Sequence, residues 1–410
     1  MMPPDRLAAV SEVLEHARRS AFYRDRLPEA PLRSWSEFRR LPLLQKDDVR
    51  RQSPRGLVCV PDAELAQYHE SSATTGAPIS AWFSGRDLRE IRDRFSTWGA
   101  LFAPGERALV RFPYALSTIG HFVHAAAQRG GACVIPADSR TSITPLPRVV
   151  DLLRKLEATI LCTISLSAVM IAEAAEMAGL DPRRDFPWLR AICCAGEPLT
   201  PARRRLLTEI WGVPVFDNYG MTETGPLAMD CPEGRLHPWE DIFLMEILDE
   251  RLAGEVAPGE TGHLVVTSLT PRATPVIRYA TGDRVRRVEA PCPCGATAHL
   301  DVRGRAEDTL RVHGKPFDLA DLEDIVAELP ARRFWRAAPI VGGLCFVVER
   351  ARDEDRIEPG IIERLEGAHG ARIEVDLVPR GTLYDRSEPI SFGMAGKPIY
   401  VVHAGSKGPG

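Results

Sequence analysis

The sequence predicts an α/β protein with a large, multi-subdomain N-terminal domain, which combines a parallel helix-covered sheet with a small β-subdomain, and a small α+β C-terminal lid. Three observations predict this fold class. The chain has 410 residues, more than a single ordinary core requires, which favours two domains. Between residues 107 and 216 short apolar runs alternate with helical patterns, as is typical of a parallel sheet. From about residue 240 the pattern changes to strands separated by glycine and proline turns.

The first half of the chain predicts the elements of the parallel sheet. Apolar positions at helical spacing predict a helix over 7–19, and a proline-rich segment follows to about residue 45. Strands are predicted at 108–112, 132–135, 159–162, 191–194 and 213–216, with helices near 118–129, 146–156, 166–178 and 201–211. For the last helix we predict Thr200 as the N-cap and Pro201 at the first position, where the missing N–H has no helical partner to lose.

The second half predicts two smaller units. The N-terminal domain is expected over 1–303 with its β-subdomain at about 240–303, followed by a hinge at 304–308 and a lid domain at 309–403. Strands are predicted at 243–248, 262–268 and 284–288 in the β-subdomain. In the lid we expect helices near 319–329 and 359–367 and strands near 340–348 and 371–377. The small polar tail 404–410 is predicted to be disordered.

The composition limits the class of protein. With 44% hydrophobic and 26% charged residues the chain is typical of a soluble globular protein. Its formal charge of −4 shows no basic excess, so neither nucleic acid nor a membrane is an expected partner. The polar start does not resemble a signal peptide. Nine cysteines at irregular spacings favour reduced thiols, and we expect a cytoplasmic location.

The segment 217–225, Asp-Asn-Tyr-Gly-Met-Thr-Glu-Thr-Gly, is the most informative motif. It follows a predicted buried strand, and open α/β sheets bind nucleotides at the carboxyl ends of their strands. Tyr219 is suited to stack on a base, Thr222 to hold a phosphate oxygen and Glu223 to ligate Mg²⁺. Two glycines allow a ligand to approach the backbone closely. Taken alone, the segment is equally compatible with a structural turn.

Four further segments support the nucleotide interpretation. Residues 71–78, Ser-Ser-Ala-Thr-Thr-Gly-Ala-Pro, form a hydroxyl-rich loop suited to a triphosphate. Asp283 follows a tight turn, which suits it to the two hydroxyls of a ribose. Residues 304–316 contain Gly-Arg-Ala-Glu-Asp and Gly-Lys-Pro, and 393–397, Gly-Met-Ala-Gly-Lys, place a lysine on a flexible loop. Each segment alone is more often an ordinary turn, but their joint occurrence in this order is a strong signal.

These segments resemble the ANL superfamily of adenylate-forming enzymes, and within it the phenylacetate–CoA ligase-like branch. The resemblance runs from about residue 8 to about residue 402 and includes the segments Phe-Tyr-Arg at 22–24, Leu-Pro-Leu-Leu-Gln-Lys-Asp-Asp at 41–48 and Cys-Ala-Gly-Glu-Pro-Leu at 194–199. Pro-Cys-Pro-Cys-Gly at 291–295 resembles a cysteine-rich turn of this branch. The resemblance implies that the lid is mobile and pivots at Glu307 and Asp308 between two half-reactions.

The resemblance also implies ATP, Mg²⁺ and coenzyme A as cofactors. Lys397 would bridge the carboxylate, the ribose and the α-phosphate, where one anion attacks another and charge must be neutralised. Thr222 would contact a phosphate and Glu223 the Mg²⁺ ion. The remaining predicted nucleotide contacts are Ser71, Ser72, Thr74, Thr75, Gly76, Glu197, Asp217, Asn218, Tyr219, Gly220, Asp283 and Arg305. For Glu197 a helix-start carboxylate is an equally good interpretation.

An acyl pocket with aromatic, mostly uncharged walls is implied, which suits a flat aryl or arylacetic acid. Its predicted residues are Phe112, Tyr114, Ile119, His121, Phe122, Ala195, Gly196 and Met221. Phe112 and Phe122 are equally compatible with a plain core role.

The phosphate loop departs from the family pattern at two places. Ala73 stands where the family usually has glycine, and alanine disfavours a positive φ by roughly 1 kcal/mol. The family often has a lysine near Ala77, and its absence weakens the hold on the outgoing pyrophosphate. We therefore expect either weaker ATP binding or a loop under relaxed selection.

The cysteines also predict a metal site. Cys292 and Cys294 lie on one turn, and Cys231 and His237 form a second pair six residues apart. Together they provide the ligand set of a closed, structural Zn²⁺ site that would tie the β-subdomain to the loop after the 217–225 motif. The alternative is that they are thiols without a metal.

The predicted function is ATP-dependent activation of a carboxylic acid, with an aromatic acid favoured, to acyl-AMP, followed by thioester formation with coenzyme A. The phosphopantetheine of an acyl carrier protein or an amine is the alternative acceptor. A non-catalytic acyl- or nucleotide-binding protein with a degenerate phosphate loop is the alternative from another class. A homodimer is the default expectation for oligomeric state.

Overall fold

The computed structural model describes residues 4–71, 77–384 and 400–403. Four predicted phosphate-loop residues, the predicted catalytic lysine and the predicted tail lie outside the described residues; they are Ser72, Thr74, Thr75, Gly76, Lys397 and 404–410. Across the described ranges no helix has both the length and the apolar character needed to span a membrane.

The N-terminal segment consists of short helices and one strand pair. Its elements are α1 (Pro4–Ala17), α2 (Ala21–Arg24), α3 (Trp35–Arg39), α4 (Lys46–Gln52), β1 (Leu65–Glu70), β2 (Ser80–Ser84) and α5 (Gly85–Phe95). The antiparallel strands β1 and β2 flank the predicted phosphate loop. Ser84 and Asp87 form a reciprocal capping box that starts α5, because each side chain bonds the other residue's backbone N–H.

A seven-stranded sheet follows, with helices between its parallel strands. Its elements are β3 (Arg107–Arg111), α6 (Thr118–Gly130), β4 (Cys133–Pro136), α7 (Leu146–Lys155), β5 (Ile160–Thr163), α8 (Ser165–Met177), β6 (Ala191–Ala195), α9 (Pro201–Trp211), β7 (Val215–Met221), β8 (Gly225–Asp230) and β9 (Leu236–Pro238). The strand order is β4-β3-β5-β6-β7-β8-β9, and the first five of these strands are parallel. The predicted α/β class with a parallel sheet is confirmed.

Both faces of this sheet are buried. On β3, Ala108 and Val110 pack into one hydrophobic cluster and Leu109 into another, because successive side chains of a strand point to opposite faces. The strand at the centre of the predicted nucleotide motif is longer than predicted. β7 continues past residue 216 to Met221, because its second half pairs with the antiparallel strand β8 in a hairpin with its tip at 222–224.

The β-subdomain is an antiparallel sheet. Its strands are β10 (Phe243–Leu248), β11 (Thr261–Ser268), β12 (Tyr279–Glu289) and β13 (Ala298–Arg305), in the order β10-β11-β12-β13. The N-terminal segment joins this sheet through Leu44, whose N–H donates to the Arg278 carbonyl at 2.9 Å and whose carbonyl accepts from the Ala280 N–H at 3.0 Å.

The C-terminal part has its own hydrophobic cluster and two small sheets. Its elements are β14 (Leu310–Val312), β15 (Lys315–Phe317), α10 (Leu319–Ala327), β16 (Trp335–Ile340), β17 (Gly343–Glu349), α11 (Ile361–His369) and β18 (Arg372–Val378). The turn at 306–309 joins β13 to β14 at the predicted hinge, with Glu307 exposed and Asp308 half-buried. Their role as a pivot, like the domain boundaries, stays a prediction.

Candidate active site

Three residues of the predicted nucleotide site meet at one point. Tyr219 on β7 donates its hydroxyl hydrogen to Asp283 Oδ2 at 2.5 Å. Arg305, opposite Asp283 in the β12–β13 register, brings Nε within 3.1 Å of Asp283 Oδ1. Asp283 therefore receives both an uncharged and a charged donor. The Asp283 carboxylate is also the main cause that raises the pKa of the Arg305 guanidinium, against the effect of burial.

Glycines allow this geometry at two places. A Cβ on Gly220 would lie 2.6 Å from the Gly225 carbonyl oxygen, so only glycine permits the close approach of the two arms of the β7–β8 hairpin. Gly282 has a φ of +78° directly before Asp283, a conformation that side chains rarely adopt. The Asp283 N–H donates to Thr281 Oγ1 at 3.1 Å, which fixes the turn from the other side.

A second pair lies beside the first. Tyr279, at the start of β12, donates its hydroxyl hydrogen to Glu223 Oε1 at 2.7 Å. Both side chains are buried, and burial followed by the nearby Glu223 charge raises the pKa of Tyr279 well above its usual value. Tyr279 was not among the predicted site residues, although its position two residues before Thr281 in the predicted ribose segment was a usable signal. The bond orients Glu223 at the hairpin tip next to Thr222.

Asp217 and Asn218 hold the base of the same hairpin. The Asp217 N–H donates to Asp230 Oδ2 at 2.6 Å, and the Asn218 amide donates to the Ala228 carbonyl at 3.0 Å. Within the described ranges Asp217 Oδ1 is buried and has no hydrogen-bond partner. Burial and the neighbouring Asp230 raise the pKa of Asp217 well above its usual range. An acceptor oxygen of this kind is suited to a donor on a ligand.

Glu197 and Ser71 have protein partners. Glu197 Oε1 accepts from the Ser165 hydroxyl and the Leu166 N–H, each at 2.6 Å, so the carboxylate caps the N-terminus of α8. The contacts of Glu197 therefore agree with the alternative that it is a carboxylate at a helix start. The helix that it caps is α8, which precedes it in the chain, and not the following helix α9. Ser71 Oγ accepts from the Ile79 N–H at 2.9 Å and closes the base of the hydroxyl-rich loop. Nucleotide contacts by these two residues stay predictions.

Several predicted acyl-pocket residues pack against the main hydrophobic cluster. Tyr114, Ile119 and Met221 are partly buried and pack on the hydrophobic cluster that contains Ala195. Gly196 is exposed with a φ of +89°, and the nearest atom to an added Cβ would be Ile164 Cγ1 at 3.8 Å. Ile164 was not predicted, although it directly follows β5 at the same edge of the sheet.

The remaining predicted pocket residues divide into core and aromatic neighbours. Phe112 is fully buried in the main hydrophobic cluster, which agrees with the core alternative, and a place on the pocket wall stays a prediction. Phe122 packs in a separate cluster with Phe83. His121 lies with its ring centroid 5.4 Å from that of Tyr114 and 5.4 Å from that of His69, which was not predicted.

The four predicted metal ligands converge. Their ligand atoms all lie within 4.8 Å of one another. Cys231 Sγ is 3.7 Å from Cys292 Sγ, and Cys294 Sγ is 3.3 Å from His237 Nε2. Two thiolates on a tetrahedral Zn²⁺ ion with bonds of about 2.3 Å lie about 3.8 Å apart, close to the first of these distances.

The surroundings of the cluster suit a metal as well. His237 Nδ1 lies 2.7 Å from the Ala298 carbonyl, an arrangement that directs Nε2 towards the thiols. Hydrogen bonds from the Cys294 backbone and from neighbouring side chains lower the pKa of the Cys292 thiol to about 7 against the effect of burial, whereas burial raises the pKa of Cys231 to about 11. Cys231 follows β8 and His237 lies in β9, whereas Cys292 and Cys294 lie between β12 and β13. The cluster therefore connects the main sheet to the β-subdomain.

Comparison with known proteins identifies the family. The family model described as AMP-binding enzyme matches residues 23–270. The chain belongs to the AMP-binding enzyme family. The phenylacetate-coenzyme A ligase of Thermus thermophilus is 31% identical over 350 residues, which are 80% of this chain and 77% of the relative. The phenylacetate-coenzyme A ligase of Pseudomonas putida is 31% identical over 337 residues, 77% of this chain and 73% of the relative.

Solved structures share the fold of this AMP-binding enzyme. 2-Hydroxyisobutyryl-CoA ligase in the postadenylation state, in complex with R3-HIB-AMP, has a TM-score of 0.83 at 23% identity, with coverage of 98% of this chain and 91% of that chain. The same ligase with 2-HIB-AMP and CoA in the thioesterification state has a TM-score of 0.68 at 24% identity, with coverage of 98% and 90%. The TM-score is thus higher for the postadenylation structure at equal coverage of this chain.

Proposed function

We propose that the chain activates a carboxylic acid with ATP to an acyl-AMP, with release of pyrophosphate, and then transfers the acyl group to the thiol of coenzyme A. The observation that carries this proposal is the convergence of Tyr219, Asp283 and Arg305 beside the Glu223–Tyr279 pair, in a chain of the AMP-binding enzyme family. The named relatives are phenylacetate-coenzyme A ligases, so we propose an aryl or arylacetic acid as the substrate.

The geometry suits the nucleoside part of ATP. Asp283 is held by two donors, and each carboxylate oxygen keeps acceptor capacity for the two ribose hydroxyls. The Tyr219 ring, fixed by its hydroxyl, would offer a face to adenine, and Asp217 Oδ1 would accept from a donor on the base. The protein contacts already position the Asp283 and Tyr219 side chains and the strand that carries Asp217, so each residue needs only its contact with the nucleotide to fulfil its role.

The phosphate part requires charge neutralisation, because the attacking carboxylate and the α-phosphate are both anions. Glu223 would hold Mg²⁺, which when bound neutralises phosphate charge, and the Tyr279 hydroxyl orients the carboxylate for this contact. Thr222 and the hydroxyl-rich loop would contact phosphate oxygens. Lys397, from the proposed lid over 309–403 that turns at the hinge 304–308, would approach the attacking oxygen.

The acid would lie against Tyr114, Ile119 and Met221, beside the open backbone at Gly196. These partly buried apolar side chains suit a flat ring. The acceptor thiol would then attack the acyl carbon after the lid has turned. An acyl carrier protein or an amine is the competing acceptor.

Product analysis by mass spectrometry tests the function. The full chain is incubated with ATP, Mg²⁺ and a panel of aryl and arylacetic acids, with and without coenzyme A. We expect an acyl-AMP that is converted to acyl-CoA. An acyl-AMP that persists with coenzyme A would identify a different acceptor. No adduct with any acid would contradict the enzyme proposal and favour a non-catalytic acyl- or nucleotide-binding protein, the alternative suggested by Ala73 and Ala77 in the phosphate loop.

Lys397→Ala should abolish acyl-AMP formation, and unchanged turnover would remove this lysine from the mechanism.

We also propose that Cys231, His237, Cys292 and Cys294 hold a structural Zn²⁺ ion. Metal analysis after gentle purification should find about one zinc per chain. Cys292→Ser should lose the metal and lower the melting temperature. Cys133→Ser, at an exposed cysteine outside the cluster, is the matched control and should do neither. Wild-type protein without zinc would end this proposal.

A further inference from the structure

A buried ion pair joins the main sheet unit to the C-terminal part. Arg203 on α9 donates from Nε and Nη2 to Glu323 Oε1 of α10, at 2.8 and 2.6 Å. The two side chains are 2% and 5% exposed. The Thr200 hydroxyl donates to the other oxygen of Glu323, so both carboxylate oxygens have partners from the start of α9. An isolated charge at this depth would be costly, so each partner depends on the other.

Tyr400 extends the pair towards the proposed active site. Its ring lies below the Arg203 guanidinium, with 5.2 Å from Cζ to the ring centroid, and stacks on Trp335 at 5.0 Å. Its hydroxyl donates to Glu197 Oε2 at 3.3 Å, next to the exposed Gly196. The Tyr400 carbonyl accepts from the Ala337 N–H at 2.8 Å, which anchors this segment to β16. The cluster therefore links α9, the loop after β6 and the C-terminal sheet.

A neighbouring pair on the same two helices provides a contrast. Arg205 and Asp324 approach to 3.5 Å, but their side chains are 59% and 52% exposed. Water screens such a pair, and it contributes little to the packing of the helices. Of these two charged contacts between α9 and α10, only in the Arg203–Glu323 pair would removal of one partner leave the other charge buried.

We propose that Arg203 and Glu323 are positioning residues that hold α10 against α9 during acyl-AMP formation, and that the pair separates before the acyl group is transferred to the thiol. The inference rests on the proposed function for the two half-reactions. For the pair itself it rests on the buried contacts between α9 and α10.

The physical basis is a shift in population. Glu323→Gln removes the negative charge that is hydrogen-bonded to Arg203, so whenever α10 lies on α9 the buried guanidinium keeps only the non-bonded Glu197 carboxylate nearby. In an arrangement with α9 uncovered, the same guanidinium is hydrated at no such cost. The substitution therefore disfavours only the packed arrangement. Acyl-AMP formation should lose rate in proportion to the lost population, whereas acyl transfer should not.

Hydrogen exchange of the unliganded full chain tests the pair without any substrate. In Glu323→Gln we expect amide exchange in α9 and α10 to rise by about ten-fold over wild type. Arg205→Gln, the matched control on the neighbouring pair, should leave both helices unchanged. Wild-type exchange in both helices of Glu323→Gln would overturn the proposal.

The two half-reactions, measured separately, test the consequence. Pyrophosphate release with ATP and the active acid should fall by about ten-fold in Glu323→Gln, while acyl-CoA formation from the corresponding acyl-adenylate, supplied ready-made, should not fall. Equal losses in both half-reactions would overturn the proposal, because a merely structural role lowers both. If Glu323→Gln does not fold, Glu323→Asp keeps the negative charge but is too short to keep both the Arg203 and the Thr200 contacts, and the same split between the half-reactions is expected at smaller size. If no acid reacts in wild type, the proposed function fails, and hydrogen exchange still decides the role of the pair.

Discussion

Two arginine–carboxylate pairs of the β-subdomain differ in what surrounds them. Arg278 and Glu246 form a bidentate pair at 3.0 and 3.1 Å, and their side chains are 7% and 2% exposed. Arg305 and Asp283 approach to 3.1 Å with side chains 24% and 7% exposed. Residues 278 and 283 belong to one short segment, Arg-Tyr-Ala-Thr-Gly-Asp, so a single motif supplies one member of each pair.

The partners of the two arginines show why the pairs differ in role. Arg278 Nη1 also donates to the Leu41 carbonyl at 2.8 Å, and the Arg278 backbone, at a φ of +46°, is held by Thr267 and Leu44. Arg278 therefore holds the N-terminal segment to the sheet, with its polar contacts made to protein. The Arg305–Asp283 pair is partly exposed, and Asp283 also accepts a hydrogen bond from Tyr219. This environment suits the Asp283 carboxylate to contact a ligand. A carboxylate–arginine pair in such a motif is therefore not in itself evidence of a binding role.

Removal of the buried arginine should have the largest effect. Arg278→Met leaves Glu246 buried without its counter-charge, and we expect the free energy of unfolding to fall by about 3–5 kcal/mol. Urea denaturation monitored by fluorescence measures this change. ATP binding by the fraction that remains folded should stay near wild type. A loss below about 1 kcal/mol would show that water reaches Glu246 and would break the contrast between the pairs.

Asp283→Asn should separate function from stability. The substitution keeps the size of the side chain and removes the charge that the ribose hydroxyls and Arg305 would use. We expect kcat/KM for ATP to fall about 100-fold, which corresponds to about 2.7 kcal/mol of transition-state stabilisation. The free energy of unfolding should change much less than in Arg278→Met, because the side chain left without its partner, Arg305, is 24% exposed, whereas Glu246 is 2% exposed. Steady-state kinetics with varied ATP and urea denaturation measure the two quantities.

The opposite outcome would reverse the assignment. If Asp283→Asn loses stability to the same extent as Arg278→Met while the dependence on ATP stays unchanged, Asp283 is a structural residue and the nucleotide site lies elsewhere.

The sequence predicts most of the parallel sheet because its signals are local. α9 begins at Pro201 and ends at Trp211 as predicted, since Thr200 accepts the Arg203 N–H and Gly212 takes the left-handed conformation that ends the helix. The full length of β7 was not predicted. Its second half contains polar residues and glycine, which are depleted in strands, and it becomes a strand only by pairing with β8. The pair β1–β2 was missed as well.

The candidate site shows the same limit. The convergence of Cys231, His237, Cys292 and Cys294 could be predicted because thiols and imidazole are recognisable as metal ligands in the sequence. The different environments of Arg278 and Arg305, and the Arg203–Glu323 pair, could not, because they depend on which segments the tertiary fold brings together. For Phe112 the resemblance implied a pocket wall and the sequence was equally compatible with a core role; its complete burial depends on the tertiary packing around it and could not be predicted.

The smallest expected effect comes from the bond that joins Tyr219 to the open pair. Tyr219→Phe keeps the ring that would stack on adenine and removes the hydroxyl donor at 2.5 Å from Asp283 Oδ2. Since Arg305 still holds the other oxygen, Asp283 loses orientation but not charge. A single hydrogen bond contributes about 0.5–1.5 kcal/mol, so we expect KM for ATP to rise roughly three- to ten-fold with little change in kcat.

Tyr279→Phe, which removes the corresponding bond to Glu223, is the matched variant. It should instead change the dependence on Mg²⁺, because Glu223 is proposed to hold the metal and not the ribose. If the two variants change KM for ATP and the dependence on Mg²⁺ to the same extent, the two tyrosines act on one network that contains both Asp283 and Glu223. The ribose and metal contacts could then not be separated at this site.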